Sequence, residues 1–234
     1  MNNADILEAR ARYYEFFSYA FFFHGNDEKG FLRWQEQARI LSSIKISDEY
    51  DFSAILSVDF QGFKDEQNSV LFDFSYANVP LNASFYDEGR DNGAMRIRTI
   101  AILKDTKYRR NIEKCAESED FIGFLFLMMS VFLRDEKNGD LNTNESAKNT
   151  FEQILNPCID EFCELLCAHK DSVVFKALGE IIKIFIDLER ANYAIKAPKP
   201  KEISVAKEAM NMRPHVSKMP TAKSKLNWDE FTKL

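Results

Sequence analysis

The sequence predicts an all-α protein: a single globular helical domain with a flexible basic C-terminal tail. Three observations carry that prediction. Apolar and aromatic residues recur at spacings of three and four through most of the chain. Only 8 Gly and 6 Pro stand against 21 Phe and 8 Tyr, a balance that suits long helices and short connections. Hydrophobic residues make up 45% of the 234, enough to build a sizeable core. The periodicity stops at Ala197, so the helical domain is read as residues 1–195 and the tail as 196–234.

The first helix covers residues 4–23, where Leu7, Tyr13, Tyr14, Phe16, Phe17, Ala20 and Phe23 keep helical spacing and Gly25 with Asn26 ends it. His24 at that end reads as a solvated residue favoured by the helix dipole. Phe31, Trp34, Ala38 and Leu41 predict a second helix, and Phe52, Ile55, Leu56, Phe60 and Phe63 a third. Val70, Phe72, Phe74 and Tyr76 alternate as in a strand, but a lone strand has no partner here, so helix is expected. Residues 79–93 must turn, because Pro80 fixes φ and removes a donor while Gly89, Asn92 and Gly93 permit positive φ.

Met95, Ile97, Ile100 and Leu103 mark a short helix after that loop. Residues 121–133, apolar except for Gly123 and Ser130, predict a central helix packed on all sides. A membrane span needs roughly 20 such residues, so this stretch belongs in a core. Ser118 is placed to cap it, with Glu117, Glu119 and Asp120 at its start and Arg134 and Lys137 at its end, as the helix dipole favours. Residues 135–149 are polar and read as a connection. Residues 151–166 resume helical spacing, with Pro157 either in a first turn or at a kink, and 174–188 give the last core helix.

Charge is unevenly spread. The tail holds nine Lys/Arg and four acids, net +5, which leaves 22 basic and 33 acidic residues in 1–195, net −11. An acidic body argues against nucleic acid or an anionic membrane and suits a cationic partner. The opposite charges also predict a contact of Arg213, Lys218, Lys223 and Lys225 with an acidic groove on the body, displaced by a client. The last stretch, residues 226–234 with Trp228 and Phe231, reads as a disordered end or a short anchor. No signal segment is evident at the start, so a cytoplasmic location and reduced cysteines are expected.

Catalytic signatures are missing: the sequence has no phosphate-cradling or dinucleotide glycine motif, no nucleophile elbow and no H-E-x-x-H. Cys158, Cys163, Cys167 and His169 match no zinc spacing and share an apolar stripe, so buried structural cysteines and no metal are expected. Asp87, Glu88 and Asp120 read as loop and helix-terminal acids rather than a catalytic pair. A binding protein without catalytic activity or cofactor is the expectation.

Several stretches, taken in series, resemble the TorD/DmsD/NarJ-type redox enzyme maturation chaperones. Tyr13, Tyr14, Phe16 and Phe17 match an aromatic-rich first helix, and Pro80, Ser84, Tyr86, Glu88 and Gly89 match a proline loop followed by an acidic, glycine-containing segment. Glu119, Asp120 and Phe121 stand at the family's acidic-His box, with Phe in place of His. Ile154 and Pro157 with Cys158 stand at its H-L-x-P-W segment, and residues 174–180 at its F-Y-x-A-L-x-E helix.

The resemblance implies an all-helical cytoplasmic chaperone, working as a monomer or domain-swapped dimer, that binds the twin-arginine signal peptide and apo form of a molybdenum-cofactor oxidoreductase. Formate dehydrogenase and DMSO/TMAO-reductase types are both open as clients. It would hold the client back from export until its cofactor is in. Such a receptor needs carboxylates beside an apolar groove. Asp87, Glu88, Glu119 and Asp120 are the candidates for the charge; Pro80, Tyr86, Phe121 and Phe124 are those for the apolar surface, with Ser84 shaping the loop. The second reading is a helical scaffold or adaptor that binds a folded partner through the basic tail.

Overall fold

Aromatic side chains from several helices interlock to form the core, and the order of elements follows from how they are brought there. The computed structural model describes residues 3–23, 25–44, 51–73, 78–113, 115–140, 142–199 and 202–211. The helices are α1 (Asn3–Phe21), α2 (Glu28–Ser43), α3 (Ser53–Ser57), α4 (Phe60–Gln67), α5 (Ala83–Glu88), α6 (Ala94–Lys104), α7 (Ile122–Lys137), α8 (Asn142–Thr150), α9 (Asn156–Ala168), α10 (Val174–Tyr193) and α11 (Val205–Asn211). Wider π-type turns extend α4 over Asn68–Phe72 and join α8 to α9 over Phe151–Leu155. Among the described residues no strand forms, and no helix is long and apolar enough to cross a membrane.

α1 and α7 make the most extensive helix pair. Phe126 of α7 meets Tyr14, Phe17 and Phe21 of α1 at ring distances of 6.0, 5.7 and 5.9 Å. From the other side, Phe185 of α10 lies 5.2, 4.9 and 5.3 Å from Tyr13, Tyr14 and Phe17. Gly123 lets the two main helices close up. A Cβ there would fall 2.8 Å from Phe121 and 3.1 Å from Phe22, and Ser18 donates to the Gly123 carbonyl at 2.8 Å. A charged group lies at the edge of this core: Glu189 of α10, 1% exposed, accepts from Arg10 Nε at 2.6 Å, Arg10 Nη2 at 2.8 Å and the Tyr14 hydroxyl at 2.9 Å.

The expected helices are present, with three differences. The third splits at Val58 and Asp59, where the Asp59 carboxylate accepts from Gly62 N at 2.7 Å and starts α4 afresh. The stretch after α4 is helical as far as Phe72, while residues 74–77 and His24 lie outside the described residues. The connection expected at 135–149 is largely helix: α7 runs to Lys137 and α8 begins at Asn142. Thr143, Ser146, Ala147 and Thr150 are buried, and these small side chains let α8 pack on α7 despite weak helical propensity. The central helix is not enclosed on every side, since Leu127 is 40% exposed and Phe124 and Val131 are half-buried.

Pro157 follows the π-type turn directly, inside a continuous run of helix. Proline cannot donate to the preceding turn, and the widened turn absorbs that missing bond without breaking the axis. Within the segment predicted as tail, Val205–Asn211 folds as α11 against α5, with Ala206 fully buried. Val205, Ala206, Ala209 and Met210 supply an apolar face too short for periodicity to reveal. Residues 212–234, including Arg213, Lys218, Lys223, Lys225 and the 226–234 stretch, lie outside the described residues.

Candidate functional site

Several helix ends among the described residues are satisfied by side chains from outside the helix, and two of those ends build the site. Orphan N–H and C=O groups at helix termini need partners. Gln67 donates to the carbonyls of Ala20 and Phe22 at 2.8 Å each, closing α1. Glu66 accepts from Val173 N and Phe175 N at 2.7 and 2.9 Å, opening α10. Asp120 does the same for α5 and Glu88 for α6.

The loop and the start of α7 are joined by one antiparallel bridge between Asn82 and Phe121. Ala83 N donates to the Asp120 carbonyl at 2.9 Å, and Ile122 N to the Leu81 carbonyl at 2.7 Å. The Asp120 carboxylate, fully buried, accepts from Ser84 N at 3.0 Å and from the Ser118 hydroxyl at 2.6 Å. The predicted capping is therefore redirected. Ser118 bonds to Asp120 and Asn82 instead of capping α7, and Asp120 caps α5 across the bridge.

The residues expected to form a binding surface divide between interior and exterior. Ser84 is buried, its hydroxyl accepting from Arg96 N at 3.3 Å. Tyr86 is 1% exposed; it donates to the Pro80 carbonyl at 2.7 Å and meets Phe162 of α9 edge-on at 6.1 Å. Burial, with Cys158 nearby, pushes its hydroxyl far above the usual tyrosine range. Phe121 is buried against Phe22 at 5.1 Å, and Phe124 sits on the partly exposed α7 stripe.

Glu119 is 8% exposed and held by two guanidinium groups, Arg96 Nε at 2.7 Å and Arg110 Nε at 2.9 Å. Burial works against its charge, but these arginines outweigh that and hold the carboxyl below its ordinary value. Glu88 accepts from Ala94 N at 2.6 Å and pairs with Arg90, which together lower its pKa. Asp87 and Pro80 are half-buried at the surface.

Outside this junction lies a groove of about 340 Å³, lined by Val79, Pro80, Leu81, Phe85, Asp91 and, from α11, Ala209 and Met210 among others. Asp91, exposed at its edge, accepts from Asn82 Nδ2 at 2.8 Å. The loop thus presents apolar side chains with carboxylates at their margin. Sequence reasoning missed Leu81, Phe85, Asp91 and α11. The only signal for the last was the spacing of Val205, Ala206, Ala209 and Met210.

Residues 63–168 match the family model described as nitrate reductase delta subunit. The match spans a little under half of the chain. The matched residues carry the bridge, α5, α6, α7, α8 and α9, so they contain the whole junction around Asp120. The fold is similar to that in a crystal structure from Archaeoglobus fulgidus, described as a candidate redox enzyme maturation protein. That likeness has a TM-score of 0.50 and 17% identity, and covers 77% of this chain and 93% of that one. No curated protein matches the chain.

Two of the four cysteines serve packing. Cys158 and Cys163 are buried in α9, the Cys158 thiol lies 3.2 Å from the Ile154 carbonyl, and burial pushes the Cys163 thiol up. Among the described residues no group of three or more His, Cys, Asp or Glu could hold a metal ion.

Proposed function

We propose that this protein is a redox enzyme maturation chaperone of the NarJ/TorD type, working in the cytoplasm on the catalytic subunit of a molybdenum-cofactor oxidoreductase and binding its twin-arginine signal peptide and apo form. It assists cofactor insertion and delays export. Formate dehydrogenase and DMSO/TMAO-reductase types remain candidate clients, and the family's description adds nitrate reductase. The observation that carries this reading is the groove beside the bridge, where Pro80, Leu81 and Phe85 lie next to Asp91, with Asp87 on the same short helix. An arginine pair followed by an apolar run needs that combination.

In this reading Pro80, Asp87, Glu88 and Phe124 have surface to offer a peptide. Ser84, Tyr86, Glu119, Asp120 and Phe121 hold the loop in shape from beneath. The test is co-purification from the native cytoplasm with tagged wild type, Phe85→Asp and Asp91→Lys, identifying bound proteins by mass spectrometry. The expected result is a molybdoenzyme subunit still carrying its leader, reduced at least several-fold in both variants. Recovery of a leaderless folded partner, equal in all three, would overturn the reading in favour of an adaptor.

A further inference from the structure

We infer that α11 is an intramolecular stand-in for the client's leader: it occupies the client cleft, and Glu161 and Glu164 of α9 join Asp91 in receiving the client's arginines. This rests on the signal-peptide reading above and goes beyond it by naming the acceptors and a competitor. α11 stands between two clefts. Ala209 and Met210 wall the apolar groove against Pro80, Leu81 and Phe85. Ser204, which precedes the helix, and Lys207 line a second cleft of about 240 Å³, shared with Asp160, Glu161 and Glu164. The Ser204 hydroxyl donates to Glu161, and Lys207 Nζ lies 3.8 Å from Glu164 Oε2. A cationic side chain therefore rests on the α9 carboxylates while the apolar side of the same short segment rests on the loop. An arginine pair followed by an apolar run has the same two chemistries.

The approach to α5 is close. Gly89 ends α5 at φ +69°, and a Cβ there would fall 3.1 Å from Ala209 Cβ and 3.3 Å from Val205 Cγ1. The attachment is nonetheless slight. Ala206 is the one side chain of α11 that is fully buried, and the Lys207–Glu164 pair is about half exposed on both sides. Exposed pairs of this kind add little. A seven-residue helix is not stable in water alone, so α11 is helical only while docked. The chain before it is pinned where Asn156 Nδ2 donates to the Lys196 carbonyl at 3.0 Å. From there to Ile203 it is exposed wherever it is described. Such a segment can leave the cleft without unfolding the body.

The test uses the full chain and a fluorescent synthetic peptide, an arginine pair followed by leucines, read by anisotropy alongside hydrogen exchange by mass spectrometry. Ala206→Asp places a charge in the buried contact, and Lys207→Glu repels Glu164 from an exposed position that leaves the body intact. Each is expected to raise exchange over residues 83–89 and to tighten peptide binding about ten-fold. Adding Glu161→Gln and Glu164→Gln to Lys207→Glu is expected to reverse the gain. If the peptide binds wild type and both variants equally while exchange rises, α11 does not compete; the inference fails and the signal-peptide reading stands. If exchange over 83–89 is unchanged in both variants, α11 is no cover and the inference fails. If the opened variants bind no peptide, both readings fall.

Discussion

Replacing Asp120 by alanine removes the acceptor of two hydrogen bonds at a fully buried carboxylate, leaving Ser84 N unpaired while the Ser118 hydroxyl keeps Asn82 as an acceptor. Losing a cap and stranding a buried donor costs about 1–3 kcal/mol. Denaturant unfolding should show Asp120→Ala destabilised by that amount and Asp120→Asn by less, since an amide oxygen still accepts from Ser84 N. A loss of client binding in Asp120→Ala would therefore report a damaged loop before it reported a lost contact. Glu119 makes a separate prediction. Its pKa is lowered in the folded state by Arg96 and Arg110, against a burial penalty, so its contribution is present above the unfolded value near 4.5 and lost as pH falls through the lower folded value. Thermal midpoints taken between about pH 5 and about pH 3 should fall more steeply in wild type than in Glu119→Gln. Parallel curves would show that the pair of arginines does not couple Glu119 to folding.

At the scale of elements, short helices here depend on neighbours. α5 spans only Ala83–Glu88, and its first turn is closed by Asp120 from the far side of the bridge. A helix of that length cannot persist on propensity alone. The sequence showed residues 79–93 as a turn because Pro80, Gly89, Asn92 and Gly93 forbid a long helix. It did not reveal the single helical turn between them, since the capping residue sits 36 positions away from Ser84. α8 and α11 were missed for a related reason. Their buried residues are small, chiefly Ala147, Thr150 and Ala206, and small side chains leave a weak hydrophobic period even where they pack tightly. The helices with large side chains, α1, α7, α9 and α10, were all legible.

For the molecule as a whole, α1 and α10 are fastened by the Arg10–Glu189–Tyr14 group at the edge of the aromatic core. Burial works against the charge on Arg10, but Glu189 outweighs that and raises its pKa. Glu189→Ala would leave the buried guanidinium uncompensated and the Tyr14 hydroxyl without this acceptor. Breaking one side of a buried pair costs about 3–5 kcal/mol, a large share of the stability of an ordinary domain. Calorimetry should place this variant's midpoint well below that of wild type, and an unchanged midpoint would mean the pair is dispensable. The same scale carries the electrostatic argument for function. With 1–195 at net −11, a cationic leader meets a favourable field before it meets any particular carboxylate.

What the sequence determined by itself was the helical class, the long helices and a resemblance to the family whose model matches residues 63–168. Each rests on large apolar residues at helical spacing, or on short motifs kept in serial order, and both are local properties of the chain. What only the tertiary structure decided was which named residues are surface and which are support. Asp120, Glu119 and Tyr86 look alike as loop residues, and a linear reading offers all three to a ligand. Folding turns Asp120 into a cap for α5, closes Glu119 between Arg96 and Arg110, and buries Tyr86 against Phe162. Their partners come from other elements, and no spacing along the chain encodes which carboxylate will find an internal donor first. The carboxylates of α9 beneath α11 escaped notice for the same reason: their meaning lies in the segment that folds back onto them.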